Sequence, residues 1–281
     1  MTVMIAIALL TALAPQPTAQ PAGELKLANV RTTVGELGPT REVSKILPGD
    51  VLFIAYDIEG ITIDGEGLAR YTMAMEVVNA AGARILPPPS EPKVEPRELT
   101  EFVPLRGNKL PARAFVTVGL DQPAGEYTCK LSVTDSKTKA TGSMNLKFEV
   151  TKKDFGVVAV YTTHDQRGEL SAPTSGQVGQ TVYVQFSVAS FERDPKTKQP
   201  DVEVVCQLLD DKGAPLLTTP RKHIQDAKAP QPVKDADGAF ALQFPVFMNR
   251  PGKFTVEITA TDRVSKKAST YKLPVTVSPA N

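Results

Sequence analysis

Through most of this chain apolar and polar residues alternate one for one, the period of a strand that buries a single face. The pattern is plainest in Gly125-Glu126-Tyr127-Thr128-Cys129-Lys130-Leu131-Ser132-Val133-Thr134-Asp135. It returns 127 residues later as Gly252-Lys253-Phe254-Thr255-Val256-Glu257-Ile258-Thr259-Ala260-Thr261-Asp262. Each copy is a turn glycine, a strict alternation and an acidic turn. One such passage in each half predicts two related units built from the same strands.

The remaining alternations fall into the same order twice. In the first half they predict strands over 25–34, 51–58, 69–78, 112–120, 127–134 and 144–150, with turns at Leu47-Pro48-Gly49-Asp50 and Asn79-Ala80-Ala81-Gly82. In the second they predict 155–161, 181–188, 202–209, 240–246, 254–261 and 271–277, with turns at Gln177-Val178-Gly179-Gln180 and Asp210-Asp211-Lys212-Gly213. Residues 87–104 are too rich in proline for a central strand. The expected fold is all-β, two tandem antiparallel sandwiches: a leader over 1–22, one sandwich over 23–151 and a second over 152–281. The four-residue junction Thr151-Lys152-Lys153-Asp154 reaches about 13 Å at most, so the sandwiches should sit end to end with restricted freedom.

Aligning the halves shows which side chains face inward. Leu52, Ile54, Tyr56 and Ile58 match Val182, Val184, Phe186 and Val188, apolar in both copies. The opposite face differs. It is Thr181, Tyr183, Gln185 and Ser187 in the second half, but Val51, Phe53 and Ala55 before Asp57 in the first. That outer apolar patch is expected to lie under a neighbouring loop or against the second sandwich; a partner surface is the alternative.

Composition narrows the function classes. With 32 Lys+Arg against 31 Asp+Glu and no extended basic run, nothing favours a nucleic-acid partner or an anionic membrane surface. Residues 3–14 form an apolar run too short to span a bilayer, followed by small residues at Ala12, Ala14 and Ala19. This reads as a cleaved export signal, although no Lys or Arg precedes it; a disordered cytoplasmic leader is the alternative. No later stretch is long and apolar enough for a transmembrane helix. The expected location is secreted, periplasmic or cell-envelope.

At Gly125-Glu126-Tyr127-Thr128-Cys129 the chain resembles the immunoglobulin-like superfamily, whose tyrosine-corner strand places a Tyr two residues before a Cys after a tight turn. The departures are definite. Leu52-Phe53-Ile54-Ala55-Tyr56 lacks the partner Cys, no Trp occurs, and the second half has Phe254 and Val256 at the two positions. The resemblance is therefore to disulfide-free immunoglobulin-like or fibronectin type III-like modules of bacterial envelope and secreted proteins. It implies binding, spacing or adhesion and names no ligand.

Candidate chemistry is sparse. His164, beside Asp165 and Arg167, and His223, next to Arg221 and Lys222, read as loop-surface residues, and no nucleophile elbow or zinc-helix motif accompanies them. Gly65-Glu66-Gly67 is followed by Arg70 where a phosphate-binding fingerprint needs glycine. Asp57, Glu59, Asp64 and Glu66 surround three glycines, hard oxygen donors of the kind calcium takes, but without EF-hand spacing; a solvated acidic turn is the preferred reading. Tyr71 and Tyr271 are the remaining candidates for a glycan platform and are expected to pack instead. No catalytic, cofactor-binding or metal residue is assigned, and the chain is expected not to be an enzyme. The leading expectation is a non-enzymatic exported binding or structural module touching a protein partner through its long connections, 87–110 and 218–238, with glycan open as a ligand. The alternatives are a calcium-stabilised adhesion protein and a non-catalytic accessory pair of an envelope enzyme.

Cys129 matches Val256, and Cys206 matches Met75, so each thiol takes a position the other copy gives to an apolar side chain. Two reduced, packed thiols are expected rather than a disulfide or metal pair. Both should react with a thiol reagent only as the protein unfolds. Rapid native labelling, or the absence of two free thiols after unfolding, would contradict this.

Overall fold

The computed structural model describes residues 24–42, 45–86, 88, 95–225 and 238–280, and every regular element among them is a strand. The leader falls outside the described residues. The first sandwich comprises β1 (Lys26–Thr33), β2 (Lys45–Ile46), β3 (Val51–Glu59), β4 (Leu68–Asn79), β5 (Arg84–Leu86), β6 (Arg97–Phe102), β7 (Lys109–Thr117), β8 (Gly125–Asp135) and β9 (Thr141–Val150). The second comprises β10 (Gly156–Thr163), β11 (Ser175–Gln177), β12 (Thr181–Ala189), β13 (Val202–Leu209), β14 (Arg221–Gln225), β15 (Ala239–Phe247), β16 (Gly252–Asp262) and β17 (Ala268–Ser278).

Each sandwich sets a three-stranded sheet against a larger one. In the first, β1-β3-β7 faces β2-β9-β8-β4-β5, with β6 also paired to β4; in the second, β10-β12-β15 faces β11-β17-β16-β13-β14. Pairing is antiparallel apart from two short edge contacts, β2 with β9 and β11 with β17. The inward set is as expected. Leu52, Ile54, Tyr56 and Ile58 join Cys129, Leu131 and Val133 in one buried cluster, while Val182, Val184, Phe186 and Val188 join Val256, Ile258 and Ala260 in another. Alternation brings this about: side chains two apart share a face, so each strand delivers every second residue to the core.

The backbone repeats as faithfully as the side chains. A bulge interrupts β1 between Ala28 and Arg31, and another interrupts β10 between Val158 and Tyr161. Asn29 and Ala159, the residues inside them, both have φ of 51°. Lys139 and Lys266, in the last hairpin of each sandwich, lie at 60° and 65°. Non-glycine residues seldom occupy this region, so a matched pair marks a turn geometry that both copies retain.

Two buried aspartates close those hairpins. Asp135 accepts from the N–H groups of Lys137 (2.7 Å) and Thr138 (2.9 Å) on one oxygen and from Thr62 (2.7 Å), across the sandwich, on the other. Asp262 does the same with Val264 (2.9 Å) and, across the sandwich, Glu192 (2.9 Å), adding the Ser265 hydroxyl at 2.6 Å. The tyrosine corner is also formed. The Tyr127 hydroxyl donates to the Pro123 carbonyl (2.7 Å) and accepts from the Gln122 amide (2.8 Å). Phe254, its counterpart, has no hydroxyl and lies under the Arg250 guanidinium, 5.2 Å from the ring centre.

The sheet margins differ from the sequence expectation. Residues 87–110 and 218–238 are not wholly connection. They contain β6, paired with β4 from Leu68↔Phe102 to Met73↔Arg97, and β14, paired with β13 from Val202↔Gln225 to Cys206↔Arg221. His223 accordingly lies on a strand, not in a loop. These edge strands are exposed apart from Leu99, which packs against the first core, and Gln225, so Arg-Glu-Leu-Thr-Glu-Phe and Arg-Lys-His-Ile-Gln carry no apolar alternation to read. Most of the rest, 89–94 and 226–237, lies outside the described residues.

Burial pushes the Asp135 carboxyl up, but the N–H groups of Thr138, Thr62 and Lys137 outweigh it and hold the group below its ordinary 3.8. Its stabilising contribution is therefore complete above that range and is lost as pH falls through the depressed folded value. Asp135→Ala should cost about 3 kcal/mol at neutral pH, because three N–H groups lose a charged acceptor. Urea titrations of wild type and variant should show the gap closing in acid; a gap that widens there would contradict the assignment.

Candidate functional site

The residues singled out in the sequence are not brought together into a reactive centre. His164 is exposed, with its backbone N–H bonded to the Leu170 carbonyl. His223 is exposed on β14, its ring 6.3 Å from that of Phe240. Cys129 and Cys206 are free and buried in different clusters, and burial pushes their thiols up to about 12 and about 11. A thiol so placed is an unreactive packing group.

The acidic loop is occupied by its own chain. Glu59 lies between Lys109 (2.6 Å) and Lys26 (2.9 Å), and these ammonium groups, Lys109 first, hold its carboxyl below the usual range. Asp64 takes the N–H groups of Leu68 and Glu66, each at 2.9 Å, on one oxygen and Arg70 on the other. The Leu68 N–H leads in lowering its pKa. Asp57 accepts from the Asn29 side chain at 2.6 Å. Asp194 closes the matching loop of the second sandwich by accepting from Lys196 and Thr197. Asp64 is thus a turn-closing carboxylate retained by both copies.

Neither tyrosine candidate forms a platform. Tyr71 is buried in the first core and its hydroxyl is pushed up to about 12 by burial and then by Glu101. Tyr271 packs against the second core. The outer patch of β3 is covered in part by the second sandwich. The Phe53 ring lies 6.2 Å from that of Tyr161 on β10 and 6.3 Å from that of Phe115 on β7. Beside it, Arg31, Ala55, Asp57 and Arg113 line a shallow depression of about 120 Å³, well short of the several hundred needed to enclose a metabolite.

Exposed apolar surface is more informative, and sequence alternation alone could not show it. Leu105 is 95% exposed and Phe102 67%. Phe102 ends β6 and Leu105 lies on the β6–β7 connection, which is fastened to the acidic loop. Val103 N–H donates to the Gly67 carbonyl (2.7 Å), Arg106 N–H to the Val103 carbonyl (3.0 Å), and the Arg106 guanidinium to the Gly65 carbonyl (3.0 Å). In the second sandwich, Ile224 on β14 and Leu216 just before it are exposed on the corresponding side of the larger sheet. Arg41 and Asp50, which no sequence motif picked out, meet at the junction between the sandwiches (2.8 Å). The signal that could have found them is their mismatch with Ala172 and Gln180 in the second copy.

No family model and no curated protein matches the sequence. Solved structures with some likeness include the C-terminal domain of the Streptococcus pyogenes antigen I/II-family protein AspA, at 12% identity over 90% of this chain and 100% of that one, with a TM-score of 0.29. Dimeric latent PorU from Porphyromonas gingivalis shows 11% identity over 94% of this chain and 21% of its own, TM-score 0.33. Red sea bream transglutaminase shows 9% identity over 91% of this chain and 31% of its own, TM-score 0.26. The chain thus spans less than a third of the last two. The fold assignment rests on the sheets themselves.

Because Asp64 serves its own turn, Asp64→Ala should lower the melting temperature by the same amount in millimolar calcium as in chelator. A wild-type melting temperature that rises with calcium, with the rise lost in the variant, would restore a metal role.

Proposed function

We propose that the chain is a non-enzymatic binding module that works outside the cytoplasm, at the cell envelope or beyond it. It engages a protein partner through the outer margin of its larger sheets, chiefly the β6–β7 connection. The observation that carries this reading is the display of Phe102, at the end of β6, and Leu105, on the loop after it, which two hydrogen bonds fasten to the Gly67 and Gly65 carbonyls. A large apolar side chain on a preordered loop loses little freedom on binding, so more of its burial is retained as affinity. Ile224 and Leu216 extend the same margin on the second sandwich. The reading of an exported protein is supported by the apolar run at residues 3–14 and the small residues after it. The non-enzymatic reading is supported by the use of the acidic loop, both histidine-bearing segments and both thiols in turns, edges and core.

The purified chain, used as bait in an envelope extract, should retain a discrete partner. The double variant Phe102→Ser, Leu105→Ser should melt as wild type does and lose that partner by at least about tenfold, as removal of two buried apolar anchors implies. Unchanged retention by the double variant would overturn the placement. A catalytic activity abolished by His164→Ala together with His223→Ala would overturn the non-enzymatic reading.

A further inference from the structure

Asp50, the last residue of the Leu47-Pro48-Gly49-Asp50 turn, is a carboxylate almost wholly withdrawn from water, at 6% exposure. Its partners come from both sandwiches. Oδ1 accepts the N–H of Val51 (2.8 Å), at the start of β3, and the N–H of Ala159 (2.8 Å), inside the β10 bulge of the other sandwich. Oδ2 accepts from Arg41 Nη2 at 2.8 Å. A buried carboxylate persists only where donors replace its water, and here one of those donors belongs to the neighbouring unit.

Apolar contacts surround this point. Val34, from the first sandwich, lies in the buried cluster of the second. Tyr161 packs on Phe53, and a Cβ at Gly35 would stand 2.8 Å from the Tyr161 Cβ. A Cβ at Gly156 would stand 2.5 Å from the end of Leu47.

The repeat shows that this arrangement is particular to one junction. The backbone frame is the same in both copies: Thr32 Oγ1 donates to the Arg41 carbonyl, and Thr162 Oγ1 to that of Ala172. Gly49 N–H donates to Val118 and Gly179 N–H to Met248. On that frame Arg41 and Asp50 are replaced by Ala172 and Gln180, and the Gln180 side chain turns back to accept from the Gln177 N–H at 2.8 Å. On the receiving side, Ala159 is matched by Asn29. The bulge is shared, and among the described residues the Arg41–Asp50 pair engages it at Ala159.

We propose that Arg41 and Asp50 form a latch that holds the two sandwiches in a single relative orientation, so that the tandem behaves as one rigid body and not as two units on a tether. Asp50 supplies the crossing bond to Ala159, and Arg41 keeps the carboxylate aimed. The latch stands independently of the partner reading, since it is measured on the chain alone.

Spin-label distances test it. Native Cys129 and Cys206 are buried, so labels attach to cysteines placed at exposed Lys147 and Lys253, one on each sandwich, and in a control pair at Glu98 and Lys147 on the first sandwich alone. Wild type should give one narrow distribution between the sandwiches. Asp50→Ala should broaden it severalfold and leave the control pair unchanged. Should Asp50→Ala disturb the control pair as well, Arg41→Ala decides, because it leaves both N–H contacts of Asp50 in place and should still broaden the distribution. A wild-type distribution that is already broad, or a narrow one in the variants with intact controls, would overturn the latch.

Discussion

Two sheets that face each other can exclude water only if every strand sends its apolar residues to one side, and the rest of this structure follows from meeting that requirement twice. The β3 and β12 strands do so with Leu52, Ile54, Tyr56 and Ile58, and with Val182, Val184, Phe186 and Val188. What the packing cannot satisfy is the polar backbone where strands end and the chain crosses between sheets. Asp135 and Asp262 meet that need from inside, each joining a hairpin of one sheet to a loop beside the other. A hydrophobic interior and a few enclosed carboxylates are therefore parts of one solution.

With the interior fixed, the copies have been free to differ at their ends and margins. Tyr127 keeps its corner bond whereas Phe254 relies on Arg250, and Asp50 crosses to the neighbour whereas Gln180 folds back on its own turn. The second of these differences lies where one copy touches the other. Divergence at Asp50 thus marks the junction between the sandwiches.

The interior was legible because alternation is imposed by burial: wherever one face is dry, the side chains record it. Cys129 and Cys206 could be placed in the core from their apolar counterparts alone. The margins were not legible for the same reason. β6 and β14 are solvated along most of their length, so Glu98, Thr100, Lys222 and His223 satisfy no periodic demand, and backbone pairing makes them strands. Exposure of Phe102 and Leu105 was hidden too, since a local pattern cannot tell an apolar residue that meets a core from one that meets solvent. The Arg41–Asp50 contact with Ala159 joins positions more than a hundred residues apart and leaves no local trace.

The smaller sheets end at β7 and β15, and each of these strands carries a proline within its ladder, Pro111 opposite Asp57 and Pro245 opposite Tyr183. A proline is accommodated there only with its nitrogen turned away from the neighbouring strand, so the open border lacks a donor at that point. Another strand approaching from outside finds an interrupted row of hydrogen-bonding groups. At these two borders the interruption works against edge-to-edge pairing with a second sheet.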